Sequence, residues 1–68
     1  MRVYTIVEWG GYDARAWFED GETQLEAIKD QNNRAVSAKD VPQDIYDRLM
    51  GEAYENYKSG DIWTMEGR

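Results

Sequence analysis

Residues 40–60 read DVPQDIYDRLMGEAYENYKSG, and this stretch sets the architecture expected of the chain. Ile45, Tyr46, Leu49, Met50, Ala53 and Tyr57 recur at the spacing that places them on one arc of a helix. Asp44, Asp47, Arg48, Glu55 and Lys58 fall on the opposite side. Asp40 is placed to cap the start, and Gln43, three residues on, to answer that cap. Pro42 falls in the first turn, where a missing N–H costs little. Ser59-Gly60 supplies the stop, because glycine accepts the left-handed backbone that closes a helix. The pattern predicts a long amphipathic helix from Asp40 to Gly60 that needs a surface for its apolar arc. Gly51 interrupts the polar side, where glycine costs about 1 kcal/mol against alanine. It reads as a local weakening, or as a place where a partner's backbone comes close.

The flanking segments supply that surface. Arg2 to Trp9 alternates like a strand, with Val3, Thr5, Val7 and Trp9 on one face and Tyr4, Ile6 and Glu8 on the other. Gly10-Gly11-Tyr12-Asp13 reads as a turn, and Ala14 to Glu19 as a second strand, which together make an antiparallel hairpin. Ala16 and Phe18 share one of its faces, and Arg15, Trp17 and Glu19 the other. Glu19-Asp20-Gly21-Glu22 is a tight acidic turn. Thr23 with Glu26 forms a capping-box pattern, which predicts a short helix through Asp30 with Leu25 and Ile28 inward. Arg34 to Lys39 fits either an extended linker or a minor strand. Asp61 to Glu66 alternates again and reads as a third strand, with Ile62 and Thr64 on one face and Trp63 and Met65 on the other. The expected fold is α+β in the order β-β-α-α-β, a three-stranded antiparallel sheet with the long helix packed on one face.

Sixty-eight residues make one expected domain, near the lower limit for a single core without staples. Without cysteines there is no disulfide or thiolate–metal framework, which fits a reducing cytoplasm. No apolar run is long enough to span a bilayer, and no basic-then-apolar segment opens the chain, so neither a transmembrane helix nor a signal peptide is expected. Fourteen Asp and Glu against eight Lys and Arg leave a net charge of −6. Direct binding to nucleic acid is disfavoured, since affinity there comes largely from cationic contacts with phosphate, and anionic membranes are disfavoured for the same reason. A basic protein surface is the natural complement.

The chemical inventory argues against an enzyme. Histidine and cysteine are both absent, which removes the commonest general base and the strongest nucleophile. Asp30-Gln31-Asn32 opens like a calcium loop, but Ala35 stands where glycine is needed and Val41 where a bidentate glutamate is needed. Asp40, Asp44 and Asp47 share a helix side, as solvated faces commonly do. No phosphate loop or dinucleotide fingerprint is present, so neither metal nor cofactor is expected.

What remains is surface. Asp13, then Glu19, Asp20, Glu22, Glu26 and Asp30, and then Asp44 and Asp47 with Glu55 mark three acidic regions. Composition alone favours ordinary solvated faces, partly neutralised by Lys29, Arg48 and Lys58. Spaced carboxylates on a rigid support can also imitate duplex phosphates, which lie about 1.7 Å apart along the axis. The aromatics offer another route. If Trp17 and Trp63 share the solvent face with Tyr4, they form a patch suited to a protein interface.

The order of elements, the acidity and the size together resemble the small phage-encoded anti-CRISPR proteins, in particular type I-F inhibitors that block PAM recognition. The likeness rests on Gly10-Gly11-Tyr12, Phe18-Glu19-Asp20-Gly21, Val41-Pro42 with Ile45 and Leu49, then Ala53, and Lys58-Ser59-Gly60 before Trp63. It covers most of the chain, with small insertions. The resemblance implies a monomeric DNA mimic in the cytoplasm of a host bacterium, whose carboxylates occupy the basic PAM-binding surface of a Cas protein. Asp13, after the Gly-Gly turn, is the best positional match, followed by Glu22, Glu26 and Asp30. That last segment differs in length from the family pattern and carries Arg34 and Lys39. The alternative expectation is a small phage regulatory or interaction module that binds through an aromatic sheet face.

Overall fold

A computed structural model describes residues 1–64. Strands β1 (Val3–Trp9), β2 (Tyr12–Glu19) and β3 (Glu22–Lys29) run in sequence order through one antiparallel sheet. A 3-10 turn at Ala38–Asp40 leads to helix α1 (Gln43–Ser59), which covers one face of that sheet. The α+β class, the three-stranded antiparallel sheet and the long helix on one face are as expected. The order is β-β-β-α, which differs from the expected β-β-α-α-β.

Two tight hairpins explain the sheet. Trp9 pairs with Tyr12 around Gly10-Gly11, and Glu19 pairs with Glu22 around Asp20-Gly21. The central residues have φ of 63° and 87° in the first turn, and 52° and 80° in the second. Paired positive φ values are the mark of type I′ turns, whose twist matches that of the strands they join. At Gly10 a side chain would also collide with the helix, since a Cβ there would lie 3.1 Å from Ile45 Cδ1.

The segment expected as a short helix is β3. Leu25 and Ile28 are both buried, and their three-residue spacing resembles a helical period. The spacing comes instead from a β-bulge. Arg15 pairs with Glu26 but Asp13 pairs with Lys29, so Ala27 and Ile28 together oppose Ala14. Ala27 takes φ 53° and is exposed, and the extra residue returns Ile28 to the face occupied by Leu25.

The expected third strand at the end of the chain is corrected as well. Residues 61–64 meet β1 through one bridge, in which Tyr4 N–H donates to Trp63 O at 2.7 Å and Trp63 N–H to Tyr4 O at 3.0 Å. Met65 and Glu66 lie outside the described residues. Between β3 and the 3-10 turn, Ala35 forms a single bridge with Lys29.

Helix α1 begins later than expected. Asp40 lies in the 3-10 turn, and Val41 and Pro42 are extended, so the Asp40–Gln43 cap does not form. Gln43 Nε2 donates to Asp47 Oδ1 at 2.8 Å instead, and Tyr46 N–H reaches the Pro42 carbonyl at 2.9 Å. The other end closes as expected, with Gly60 at φ 84°.

The core lies between the helix and the inner sheet face. Thr5 and Val7 of β1, Ala14, Ala16 and Phe18 of β2, and Leu25 and Ile28 of β3 are buried against Leu49 and Ala53. Ala14 and Ala16 of the central strand are buried, and Leu49 and Ala53 are each 0% exposed. Burying a leucine side chain completely stabilises by about 1.5–3 kcal/mol. Val41, not expected in the core, is buried at the helix entrance. Tyr57 lies at the rim, its ring stacked 4.6 Å from that of Phe18. Among the described residues no helix is long and apolar enough to cross a membrane.

Candidate interaction surfaces

Strand alternation sends the other half of the side chains to the outer sheet face, which no element among the described residues covers. Register places Tyr4 opposite Trp17, and Trp17 opposite Gln24. The bridge at Tyr4 brings Trp63 alongside, with ring centroids 6.2 Å apart and planes 27° from parallel. Trp63, Tyr4 and Trp17 therefore form one aromatic row across three backbone segments. Ile6, one row along, is 56% exposed.

Two arginines frame the row. The Arg2 guanidinium lies 3.8 Å from the Trp17 ring centroid, and that of Arg15 lies 5.3 Å from Tyr4. Each is also held by a carboxylate: Arg2 donates to Glu19 from Nε at 3.1 Å and Nη2 at 3.0 Å, and Arg15 Nε donates to Glu26 at 2.7 Å. The Glu19 hydrogen bond holds the Arg2 guanidinium above its usual pKa, against an opposing effect of desolvation. This network restrains two long side chains on the outer face. Neither Arg2 nor Arg15 was among the expected contact residues. Their signal was present in the sequence, since strand alternation puts both on the face of Tyr4 and Trp17.

The eight carboxylates expected to bind a partner do not form one array. Glu19 and Glu26 are the two held by arginines on the outer face. Asp20 occupies the β2–β3 turn, with Glu22 beside it. Asp13 lies at the far end of the sheet, between Glu8 on β1 and Lys29 on β3. Asp30 Oδ1 accepts from the N–H groups of Asn32 at 2.9 Å and Arg34 at 3.1 Å, so it shapes its own loop. Asp44 and Asp47 lie on the first turns of α1. Glu22, Glu26 and Asp30 were expected around a short helix. They follow a strand and its exit loop instead, which spreads them along the sheet edge.

A groove of about 290 Å³ opens at the β2–β3 end, where Val3, Phe18, Thr23, Tyr54, Tyr57 and Ile62 contribute its walls. Among the described residues no group of three His, Cys, Asp or Glu side chains gathers as a metal site would require. No protein-family model, no curated protein and no solved structure matches the chain.

Proposed function

We propose that this chain is a non-enzymatic binding domain that engages a protein partner through its outer sheet face. The aromatic row of Trp63, Tyr4 and Trp17, framed by Arg2 and Arg15, carries the reading. Trp, Tyr and Arg are the residue types that dominate binding hot spots, and here they sit together on an uncovered face. The two arginines are balanced by Glu19 and Glu26, so apolar area and directed hydrogen bonds, rather than net charge, supply affinity at this patch. With no histidine or cysteine in the chain, the reading needs no reaction.

A second reading draws on the carboxylates. Glu8 and Asp13 stand directly opposite on β1 and β2, and Glu19 and Glu22 on β2 and β3. Like charges opposed across strands cost stability, so their presence favours a role outside the fold. In this reading the protein is a phage-type acidic DNA mimic that occupies a basic PAM-binding surface of a host Cas protein, as the family resemblance implies.

Affinity capture from bacterial lysate containing a type I surveillance complex separates the two. Captures run at low and high salt, with and without PAM-bearing duplex DNA. Under the first reading Trp17→Ala and Trp63→Ala each weaken capture by about thirtyfold, which matches the loss of one hot-spot residue, and salt has little effect. Capture of a Cas subunit displaced by salt and DNA, lost in Asp13→Lys and kept in Trp17→Ala, replaces the first reading with the second.

A further inference from the structure

The two edges of the sheet are treated differently. The β1 edge is occupied at Tyr4 by both hydrogen bonds of the Trp63 bridge, and at Ile6 by Asn56 Nδ2, which donates to its carbonyl at 3.2 Å. The β3 edge is occupied only past the bulge, where Val36 N–H donates to Ile28 O at 2.9 Å and Asp30 N–H to Arg34 O at 3.0 Å. Residues 22–26 pair with β2 on one side and, among the described residues, with no backbone on the other. That leaves a strand edge five residues long with unused backbone donors and acceptors.

We infer that residues 22–26 accept an extended segment of a partner protein as a fourth strand, and that this segment carries Lys or Arg at alternate positions. Charge selects the occupant. Register puts Glu22, Gln24 and Glu26 on the outer face, so an added strand sets its outward side chains beside the Glu22 carboxylate and beside Glu26, whose carboxylate it shares with Arg15. A second copy of this chain supplies no base to Glu22, because antiparallel pairing centred on Gln24 places Glu22 against the partner's Glu26. The inward side chains of the added strand lie beside Thr23 and Leu25, at the margin of the groove walled by Phe18, Tyr54 and Tyr57, and are apolar. Main-chain hydrogen bonds give affinity in this mode, and the alternating side chains give specificity. The edge adjoins the aromatic row, since Gln24 pairs with Trp17 and Glu26 holds Arg15, but it binds through backbone rather than rings, so loss of binding on peptide methylation tests it apart from the outer-face reading.

The test uses the full isotope-labelled chain and three acetylated octapeptides: alternating Lys-Val, alternating Glu-Val, and Lys-Val methylated at every second backbone nitrogen. The Lys-Val peptide is expected to shift and protect amides within residues 22–26, the Glu-Val peptide to leave them unchanged, and the methylated peptide, equal in charge, to lose the protection. Glu22→Lys replaces one of two facing acids with a base, which suits the fold because Glu19 stands opposite. This variant is expected to bind the Lys-Val peptide about fivefold more weakly, as one cross-strand charge pair supplies. Equal binding of the methylated peptide, shifts spread over the acidic surface, shifts centred on Trp17, or no shift at all overturns the inference.

Discussion

Asn56 on α1 donates its side-chain amide to the Thr5 hydroxyl on β1 at 3.0 Å, and that hydroxyl donates to the Asp61 carbonyl at 2.9 Å. One buried hydroxyl thus ties helix, sheet and the segment after the helix together. Thr5 is the one polar residue buried in the core among the described residues, and its donor and acceptor capacities are both used. Thr5→Val keeps the shape but strands Asp61 O and weakens the hold on Asn56. It is expected to cost about 1–2 kcal/mol, and Asn56→Ala a similar amount. Because the two residues share one bond, the double variant should cost less than the sum by about 0.5–1 kcal/mol in urea unfolding. Strict additivity would show that the relay does not act as a unit.

The bulge sets a second expectation. Ala27 holds a left-handed backbone that costs an L-residue about 1–2 kcal/mol, and its side chain is exposed. Ala27→Gly is therefore expected to stabilise by up to about 1 kcal/mol, after the extra chain entropy of glycine is set against the relief. Deleting Ala27 should also be tolerated. Ile28 then follows Glu26 directly and stays on the inner face opposite Ala14, with Lys29 still opposite Asp13, so far-ultraviolet circular dichroism should show a folded chain.

Gly51 lies in the exposed middle of α1, where a methyl group would meet open space beyond the helix's own backbone. Gly51→Ala is expected to add about 1 kcal/mol of stability and raise Tm by about 4–8 °C. A gain in Tm with unchanged partner capture identifies Gly51 as a local weakening of the helix. A gain in Tm with weakened capture identifies it as a contact point for a partner's backbone.

Among the described residues Leu49 is the largest side chain with no exposure at all. Leu49→Ala is expected to cost about 2–5 kcal/mol. A chain of this length has only about 3–10 kcal/mol to lose, so the variant should melt near or below room temperature by circular dichroism. A cooperative transition within a few degrees of the parent would show that the core collapses around the deletion.

These variants also mark what the sequence makes legible. The helix could be read from its apolar arc because period, length and a glycine stop agree between Ile45 and Gly60. The first hairpin could be read from the alternation on either side of its turn, but the turn, expected to run through Asp13, is Gly10-Gly11 alone, and Tyr12 and Asp13 open β2. β3 could not be read from periodicity, because a bulge turns a two-residue period into a three-residue one at Leu25 and Ile28, and Thr23 with Glu26 offers a false cap. A competing signal was present: Asp20-Gly21 between alternating segments is a strong short-range mark of a hairpin. The outer aromatic row was legible from alternation up to Trp17. The stacking of Trp63 on Tyr4 depends on a bridge 59 positions apart in sequence, and no local pattern encodes it. The carboxylates could be counted but not located, since the position of Glu22, Glu26 and Asp30 followed from the same misread segment.

The placement of the helix after all three strands has a consequence for how the chain is made. The sheet leaves the ribosome first, with Val7, Phe18, Leu25 and Ile28 facing nothing, and an uncovered sheet this small gains little stability by itself. The two tight turns form quickly, on the microsecond scale of hairpins, yet their product stays open until Leu49 and Ala53 have been synthesised. For that interval an apolar sheet face is available to any chaperone or neighbouring nascent chain. The helix therefore acts as a lock fitted last, and the late-made half of the protein governs whether the early-made half survives.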